Sequence, residues 1–192
     1  MKITTSMGTA LVTLFTASNL VGALQSKPFR LVAISDNDSV NGTAFNACHE
    51  GAAIEGLCPG GKLNTASTYR LNNTRAEPNI GSLNYLLVGG DFKIWEPMSL
   101  YVEPSTNVAI PLFWPGTDVQ NVAFDNDNKM YISSYVDDTT SPPTTSTEKK
   151  LYRWYTCRTY YGYDYTTLAW AQGKAAPQNP SCEKVDVVRV FA

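Results

Sequence analysis

The sequence predicts an all-β protein, a single-domain antiparallel β-sandwich or barrel stapled by two disulfides. Short β-branched and aromatic runs alternate with clusters of Gly, Pro, Asn and Asp, and no part of the mature chain keeps a helical period. The four cysteines are an even set in a chain that starts with an export signal. Many short strands at this spacing are typical of both sandwiches and barrels, and the sequence does not choose between them.

The first 23 residues predict a secretory signal peptide. Lys2 is their only charge, residues 10–15 are apolar, and Val21, Gly22 and Ala23 offer small or modest side chains before a cleavage site. The apolar run is too short and too polar for a membrane anchor, because a spanning helix needs about 20 apolar residues. We therefore expect residues 24–192 to form one secreted domain, extracellular or in the cell wall, with no membrane attachment.

The charge of the chain argues against a nucleic-acid partner. The formal net charge is −2, and it becomes −3 when Lys2 leaves with the signal peptide. A chain with this balance and no basic stripe has no electrostatic footprint for nucleic acid, so we expect none to bind.

The strands are predicted from short apolar runs that end at turn residues. A proline is expected to stop the strand before Pro97, and Pro111 favours an edge strand for the run that contains it. Asn and Asp at 125–129 predict a hairpin turn, and the tyrosine-rich stretch 160–164 predicts another. The predicted strands are 29–35, 83–88, 92–95, 98–102, 107–113, 122–124, 130–136, 151–157, 165–171 and 185–191.

One stretch differs from the rest in composition. Residues 137–150 are almost entirely Thr, Ser, Pro, Asp and Lys and include no large apolar side chain. Such a stretch cannot bury itself, so we expect an exposed Thr/Ser/Pro loop within the domain and a candidate for O-glycosylation.

The cysteines Cys48, Cys58, Cys157 and Cys182 predict two disulfides. Three pairings are possible, and the local one, Cys48 with Cys58 and Cys157 with Cys182, closes two short loops. Each closed loop limits the unfolded chain by roughly 3 kcal/mol in the entropy model. The second bridge would fasten the last strand beside the strand of Trp154. The cysteines lack the spacing of a zinc site, and we predict no metal.

Three sequons, at Asn37, Asn41 and Asn72, predict N-glycosylation if the chain passes through a eukaryotic secretory pathway. Each of these asparagines would then have to face solvent.

Few residues point to catalysis. His49 is the one histidine, no Gly-x-Ser-x-Gly elbow exists, and we expect an exposed loop histidine. Residues 125–128 offer oxygen ligands but lack the glycine and distal glutamate of a calcium loop. No phosphate loop is present, so no cofactor is predicted. A glycosidase needs only two neighbouring carboxylates, for which the candidates are Glu96, Glu103, Asp137 and Asp138.

The density of aromatic residues near the C-terminus is the most unusual feature of the chain. Alternate strand residues point to opposite faces, so Trp154 and Tyr155 cannot share one face and some rings should be exposed. Exposed flat rings with hydroxyl groups suit sugars or protein partners, although tyrosines also cover sheets without binding anything. The predicted binding residues are Trp154, Tyr160, Tyr161, Tyr163, Tyr165 and Trp170.

Several segments resemble a group of small secreted proteins from filamentous fungi. The likeness covers most of the mature chain, and its motifs are strands, turns and the final cysteine pair. The matching segments are Phe29-Arg30-Leu31-Val32-Ala33, Leu151-Tyr152-Arg153-Trp154-Tyr155-Thr156-Cys157, Leu168-Ala169-Trp170, Pro177-Gln178-Asn179-Pro180-Ser181-Cys182 and Val185-Asp186-Val187. The layout is loosely similar to that of fungal cell-wall and IgE-binding secreted proteins. The resemblance implies a fungal, extracellular or cell-wall setting and carries over no catalytic residue.

These observations favour a secreted, non-enzymatic fungal protein that acts at the cell surface or at a host interface by binding a cell-wall glycan or a host protein. The surface for this would be the 160–165 turn with Trp154 or Trp170. Two alternatives stay open: a carboxylate-dependent glycoside hydrolase acting on cell-wall polysaccharide, and a structural component of the wall.

Overall fold

The computed structural model describes residues 23–192, apart from the side chains of residues 146 and 147. The predicted signal peptide lies outside this range except for Ala23, the first residue of β1. The described part of the chain is all-β. Its strands are β1 Ala23–Gln25, β2 Phe29–Ile34, β3 Ala44–Gly51, β4 Ile54–Gly61, β5 Tyr69–Thr74, β6 Ile80–Gly89, β7 Phe92–Val102, β8 Val108–Phe113, β9 Asn121–Phe124, β10 Met130–Asp137, β11 Thr144–Leu151, β12 Trp154–Tyr160, β13 Asp164–Ala171, β14 Glu183–Lys184 and β15 Asp186–Phe191.

Seven antiparallel strands close into a barrel in the order β2, β3, β4, β8, β7, β6, β5 and back to β2. Of the two predicted architectures the barrel is therefore present. The other strands extend it: β9, β10 and β11 continue from β6, while β13, β12 and β14 continue from β8. β15 runs along β2, and β1 along β5.

The barrel interior is filled by alternate residues of its strands, as the pleat requires. Phe29, Leu31 and Ala33 on β2 are fully buried in the main core, together with Tyr69 and Leu71 on β5. The register brings Phe29 opposite Tyr69, which joins β2 to β5 and completes the ring of strands.

Two prolines occupy positions where a strand changes partner. β7 pairs with β6 as far as Pro97 and with β8 from Met98 onward, so it runs straight through the residue predicted to stop it. The predicted edge position of Pro111 is wrong, because β8 lies inside the sheet and pairs with β7, β13 and β4. Pro111 lies opposite Leu100 of β7, and on the other side of β8 it lies between the β13 contact at Ala109 and the β4 contact at Phe113.

Some strands carry no clear sequence signal. The hairpin of β3 and β4 is rich in Gly and Ala, residues with low strand propensity. Within the predicted loop 137–150, residues from Thr144 form β11, which pairs with β10 and leaves a shorter turn at 138–143. The side chains described for this stretch are exposed, as expected, apart from half-buried Asp137. The backbone of β11 nevertheless pairs with β10, because backbone hydrogen bonds do not require apolar side chains.

Both disulfides are present with the local pairing. Cys48–Cys58 crosses the β3–β4 hairpin, and Cys157–Cys182 ties β12 to the segment before β14. The second bridge was expected to fasten the last strand, 185–191, beside the strand of Trp154. Only the two-residue strand β14 pairs there, with β12. The longer β15 pairs with β2. Two disulfides indicate that the chain folds in an oxidising compartment.

Two glutamates meet inside the barrel. Glu55 on β4 is buried, and Glu96 on β7 has no exposed surface. No donor group of the described residues reaches Glu55 Oε2 or either oxygen of Glu96. Two carboxyl groups close together in the interior cannot both be ionised, so one of them keeps its proton.

Burial, and after it the neighbouring Glu55 carboxyl, raise the pKa of Glu96 to about 8. The pKa of Tyr85 is also raised, first by desolvation and then by the charges of Glu55 and Glu96. The fold thus keeps a proton that the unfolded chain would release at neutral pH.

We expect the free energy of unfolding to fall as the pH rises from about 4.5 to about 8. In this window the folded state holds a proton on Glu96 that the unfolded state, with its ordinary pKa of 4.5, has lost. The decline should be on the order of a few kcal/mol. Urea unfolding at pH 4 to 9 measures it, and Glu96→Gln should flatten it, since an amide does not titrate. Equal slopes for the two proteins would show that this carboxyl is not the source.

Candidate functional site

Exposed and half-buried aromatic residues gather at the closed end of the β12–β13 hairpin. They come from β3, from β7, from the segment after β8 and from the hairpin itself. We call this set the aromatic surface: His49, Tyr101, Trp114, Tyr160, Tyr161, Tyr163 and Tyr165.

The hairpin holds its turn by side-chain bonds just before the strands end. Arg158 donates from Nε and Nη2 to the two oxygens of Asp164, both at 2.8 Å. On the other face the hydroxyls of Thr159 and Thr167 lie 2.7 Å apart. The exposed ion pair contributes little stability on its own, but its two parallel bonds fix the spacing of the strands.

The rings of the turn pack on one another and on rings from distant parts of the chain. Tyr161 meets Tyr101 edge-on with centroids 4.8 Å apart and lies 6.5 Å from Trp114. Tyr163 stacks on Tyr165 at 5.8 Å and lies 5.6 Å from the His49 ring. Such arrangements are favourable for aromatic quadrupoles, so the rings support one another while part of each stays open.

Beneath the turn, the buried Glu50 at the end of β3 accepts hydrogen bonds from the backbone. Burial raises its pKa, while the N–H groups of Tyr163 and Gly162 and the charge of His49 act in the opposite direction. A Cβ on Gly162 would lie 2.0 Å from the Glu50 carbonyl oxygen, so only glycine fits there. The Cys48–Cys58 bridge holds the hairpin that carries Glu50. The turn is therefore docked on a cross-linked platform.

The residues predicted to bind divide into two groups. Tyr160, with 73 % of its surface exposed, and Tyr163, with 47 %, lie on the aromatic surface with the half-buried Tyr161 and Tyr165. Trp154 and Trp170 lie in the core.

The two indoles are 0 % and 6 % exposed and pack edge-on at 4.7 Å. The Trp154 Nε1–H donates to the carbonyl of Met130 at 2.8 Å. Buried rings have no face to offer a ligand, so the expectation that one of them joins the exposed surface is not met. The surface instead recruits His49, Tyr101 and Trp114, which no local pattern connects with the turn.

Of the carboxylates proposed from the sequence, the two glutamates lie far from each other. Glu96 is on β7 and Glu103 follows its last residue, so seven residues separate them, roughly 23 Å in an extended chain. Asp137 accepts bonds from Thr139 and from Lys149 Nζ, which hold its pKa well below its usual range. Asp138 is its neighbour in the turn after β10. The carboxyl pair that does form, Glu55 with Glu96, is enclosed in the barrel.

The sequon asparagines lie on or near the surface. Asn41 is exposed, whereas Asn37 and Asn72 are half-buried. The Asn37 side chain accepts from the backbone and hydroxyl of Ser39, and that of Asn72 accepts from Gln25 on β1. Glycan attachment stays a prediction for all three.

The acidic stretch at 125–128 is a hairpin turn between β9 and β10, as predicted. Asp125 Oδ1 accepts from the N–H groups of Asp127 and Lys129, both at 2.9 Å. Asn128 takes the left-handed conformation with φ 61°. Within residues 23–192, no group of three or more His, Cys, Asp or Glu side chains is placed to hold a metal ion. The same range contains no helix long and apolar enough to cross a membrane.

These features define a disulfide-stapled β-barrel protein with an aromatic surface at one hairpin end. The chain belongs to the family described as a domain of unknown function, DUF7907, which matches residues 26–191. Comparison with curated proteins and with solved structures finds no match.

We expect alanine substitutions to separate the exposed rings from the core rings. Trp154→Ala removes a fully buried indole and should lower the free energy of unfolding by about 3–5 kcal/mol. Tyr160→Ala should change it by less than about 0.5 kcal/mol, because this ring is largely exposed. Denaturant unfolding measures both. A large loss in the Tyr160 variant would assign that ring to the core.

Gly162→Ala should displace the turn, because its new Cβ would collide with the Glu50 backbone. The expected loss of stability is about 1–3 kcal/mol, with faster hydrogen exchange at the amides of 162 and 163. The matched control is Gly90→Ala, where an added Cβ meets nothing within 4 Å. Unchanged exchange in the Gly162 variant would contradict the docking of the turn on Glu50.

Proposed function

We propose that this protein is a secreted, non-enzymatic protein of a fungal surface or host interface that binds glycan through the aromatic surface. The observation that carries the proposal is the convergence of rings from distant segments on one exposed turn. A packed core does not require rings to be gathered at the surface in this way, and exposed aromatic clusters often mark binding sites.

The chemistry of the rings favours sugar over a strongly apolar partner. The surface consists mainly of tyrosines, whose faces pack on the C–H side of a pyranose while their hydroxyls exchange hydrogen bonds with sugar hydroxyls. Ring-to-ring packing fixes the tyrosines in advance, so less side-chain freedom is lost on binding. The two disulfides and the signal-like start of the chain support a place outside the cell, where glycans are abundant.

The carboxylates support binding in preference to hydrolysis. A glycosidase needs an acid and a second carboxylate on either side of the scissile bond, within about 10 Å of each other. Glu96 is enclosed in the barrel, and Glu103 follows the far end of β7, seven residues further along the chain. Asp137 and Asp138 line one cavity, but Asp137 already pairs with Lys149 Nζ at 3.1 Å, so its charge is compensated.

We expect the oxidised protein to sediment with at least one of insoluble chitin, β-glucan and cellulose without releasing soluble sugar. The double variant Tyr160→Ala/Tyr163→Ala should lose most of the bound fraction, because it removes the two exposed tyrosines of the aromatic surface. The matched control is Tyr135→Ala on β10, a tyrosine that is 56 % exposed away from the surface.

The fraction bound and the reducing sugar in the supernatant are the two readouts, with thermal unfolding as a check that each variant folds. Released sugar would overturn the non-enzymatic assignment. Retention that is equal in both variants would place binding elsewhere, and no retention on any of the three polymers would count against glycan and in favour of a protein partner.

A further inference from the structure

A cavity of about 190 Å³ opens beside the aromatic surface, between the end of β7 and the β12–β13 hairpin. Its walls combine two rings of the aromatic surface with polar and aliphatic side chains. The lining residues that carry charge or a tyrosine ring are Tyr101, Glu103, Arg158 and Tyr160. This volume is below the roughly 300–1,000 Å³ of pockets that enclose a whole drug-sized ligand. It suits one small unit of a ligand whose remainder lies across the rings.

Two charged side chains, Glu103 and Arg158, line the cavity, and only Arg158 has an ionic partner. The guanidinium of Arg158 is already paired with both oxygens of Asp164. Glu103 accepts from the Tyr101 hydroxyl at 3.2 Å through Oε2, and no cation of the described residues forms a salt bridge with it. The cavity therefore presents one carboxylate without a counter-ion.

The Glu103 carboxylate and the tyrosine rings beside it favour the same kind of ligand, a cation. A carboxylate attracts a cation directly, and the faces of tyrosine rings attract cations through their quadrupole. Tyr101 and Tyr160 border the cavity that Glu103 lines. An anionic group such as a sulfate or a uronate would meet an unpaired negative charge instead.

We propose that this cavity binds the protonated primary amine of an amino sugar, with Glu103 as its counter-ion and Tyr101 and Tyr160 as its aromatic walls. This inference rests on the glycan-binding function proposed above and narrows it to a substrate class, polymers that carry free amino groups. The sugar units on either side of the bound amine would lie along the tyrosines of the turn.

The test compares two ligands with the same backbone and length: a β-1,4-linked N-acetylglucosamine oligosaccharide and its fully deacetylated form, both at a pH where the amines are charged. Calorimetry should show the deacetylated form binding about fivefold more tightly. The preference should shrink as salt is added, because exposed charges are screened. Glu103→Gln should abolish the preference while keeping the weaker affinity for the acetylated form.

The matched control is Glu77→Gln, an exposed glutamate in the turn before β6, which should keep the preference. Equal affinity of the wild-type protein for both forms, or a preference that persists in Glu103→Gln, overturns the inference and leaves glycan binding intact. Failure of both forms to bind also overturns it, and the sedimentation with β-glucan and cellulose then decides separately whether the proposed function stands.

Discussion

Closure of the barrel depends on β7, which pairs with β6 along its first half and with β8 along its second. The change of partner falls between Pro97 and Met98, and a strand with one partner throughout would leave the sheet open. Closure removes two strand edges that would otherwise expose unpaired backbone groups. It also encloses the side chains that the pleat of each strand turns inward.

The same closure explains why Glu55 and Glu96 meet. Their strands are not adjacent, because β8 lies between β4 and β7, yet both side chains point into one narrow interior. An apolar pair at these positions would avoid the cost of desolvating two carboxyls. Their presence makes the stability of the barrel depend on protonation, so the barrel is more stable in acidic than in alkaline solution.

The aromatic surface lies outside the barrel but depends on it. β13 attaches the hairpin to the barrel through β8, and the contact of Gly162 with Glu50 sets the position of the turn on the β3–β4 hairpin. The disulfide across that hairpin limits how far the platform can move. A rigid scaffold that carries rings on a turn suits recognition, because the binding groups are already in place before a ligand arrives. Glu103 and Tyr101 follow from the same geometry, since β7 ends next to the hairpin.

The sequence by itself determined the all-β class, the two disulfides and the hairpins at 122–136 and 151–171. These features depend on residues close together in the chain: alternation along a strand, turn residues between strands and short loops between cysteines. The tertiary structure decided that the sheet closes into a barrel, that Trp154 and Trp170 are core residues, and that Glu55 faces Glu96. It also decided that Tyr101 packs on Tyr161, 60 residues further along the chain. The physical reason is that a local pattern fixes which residues alternate, whereas the register between distant strands fixes which of them meet.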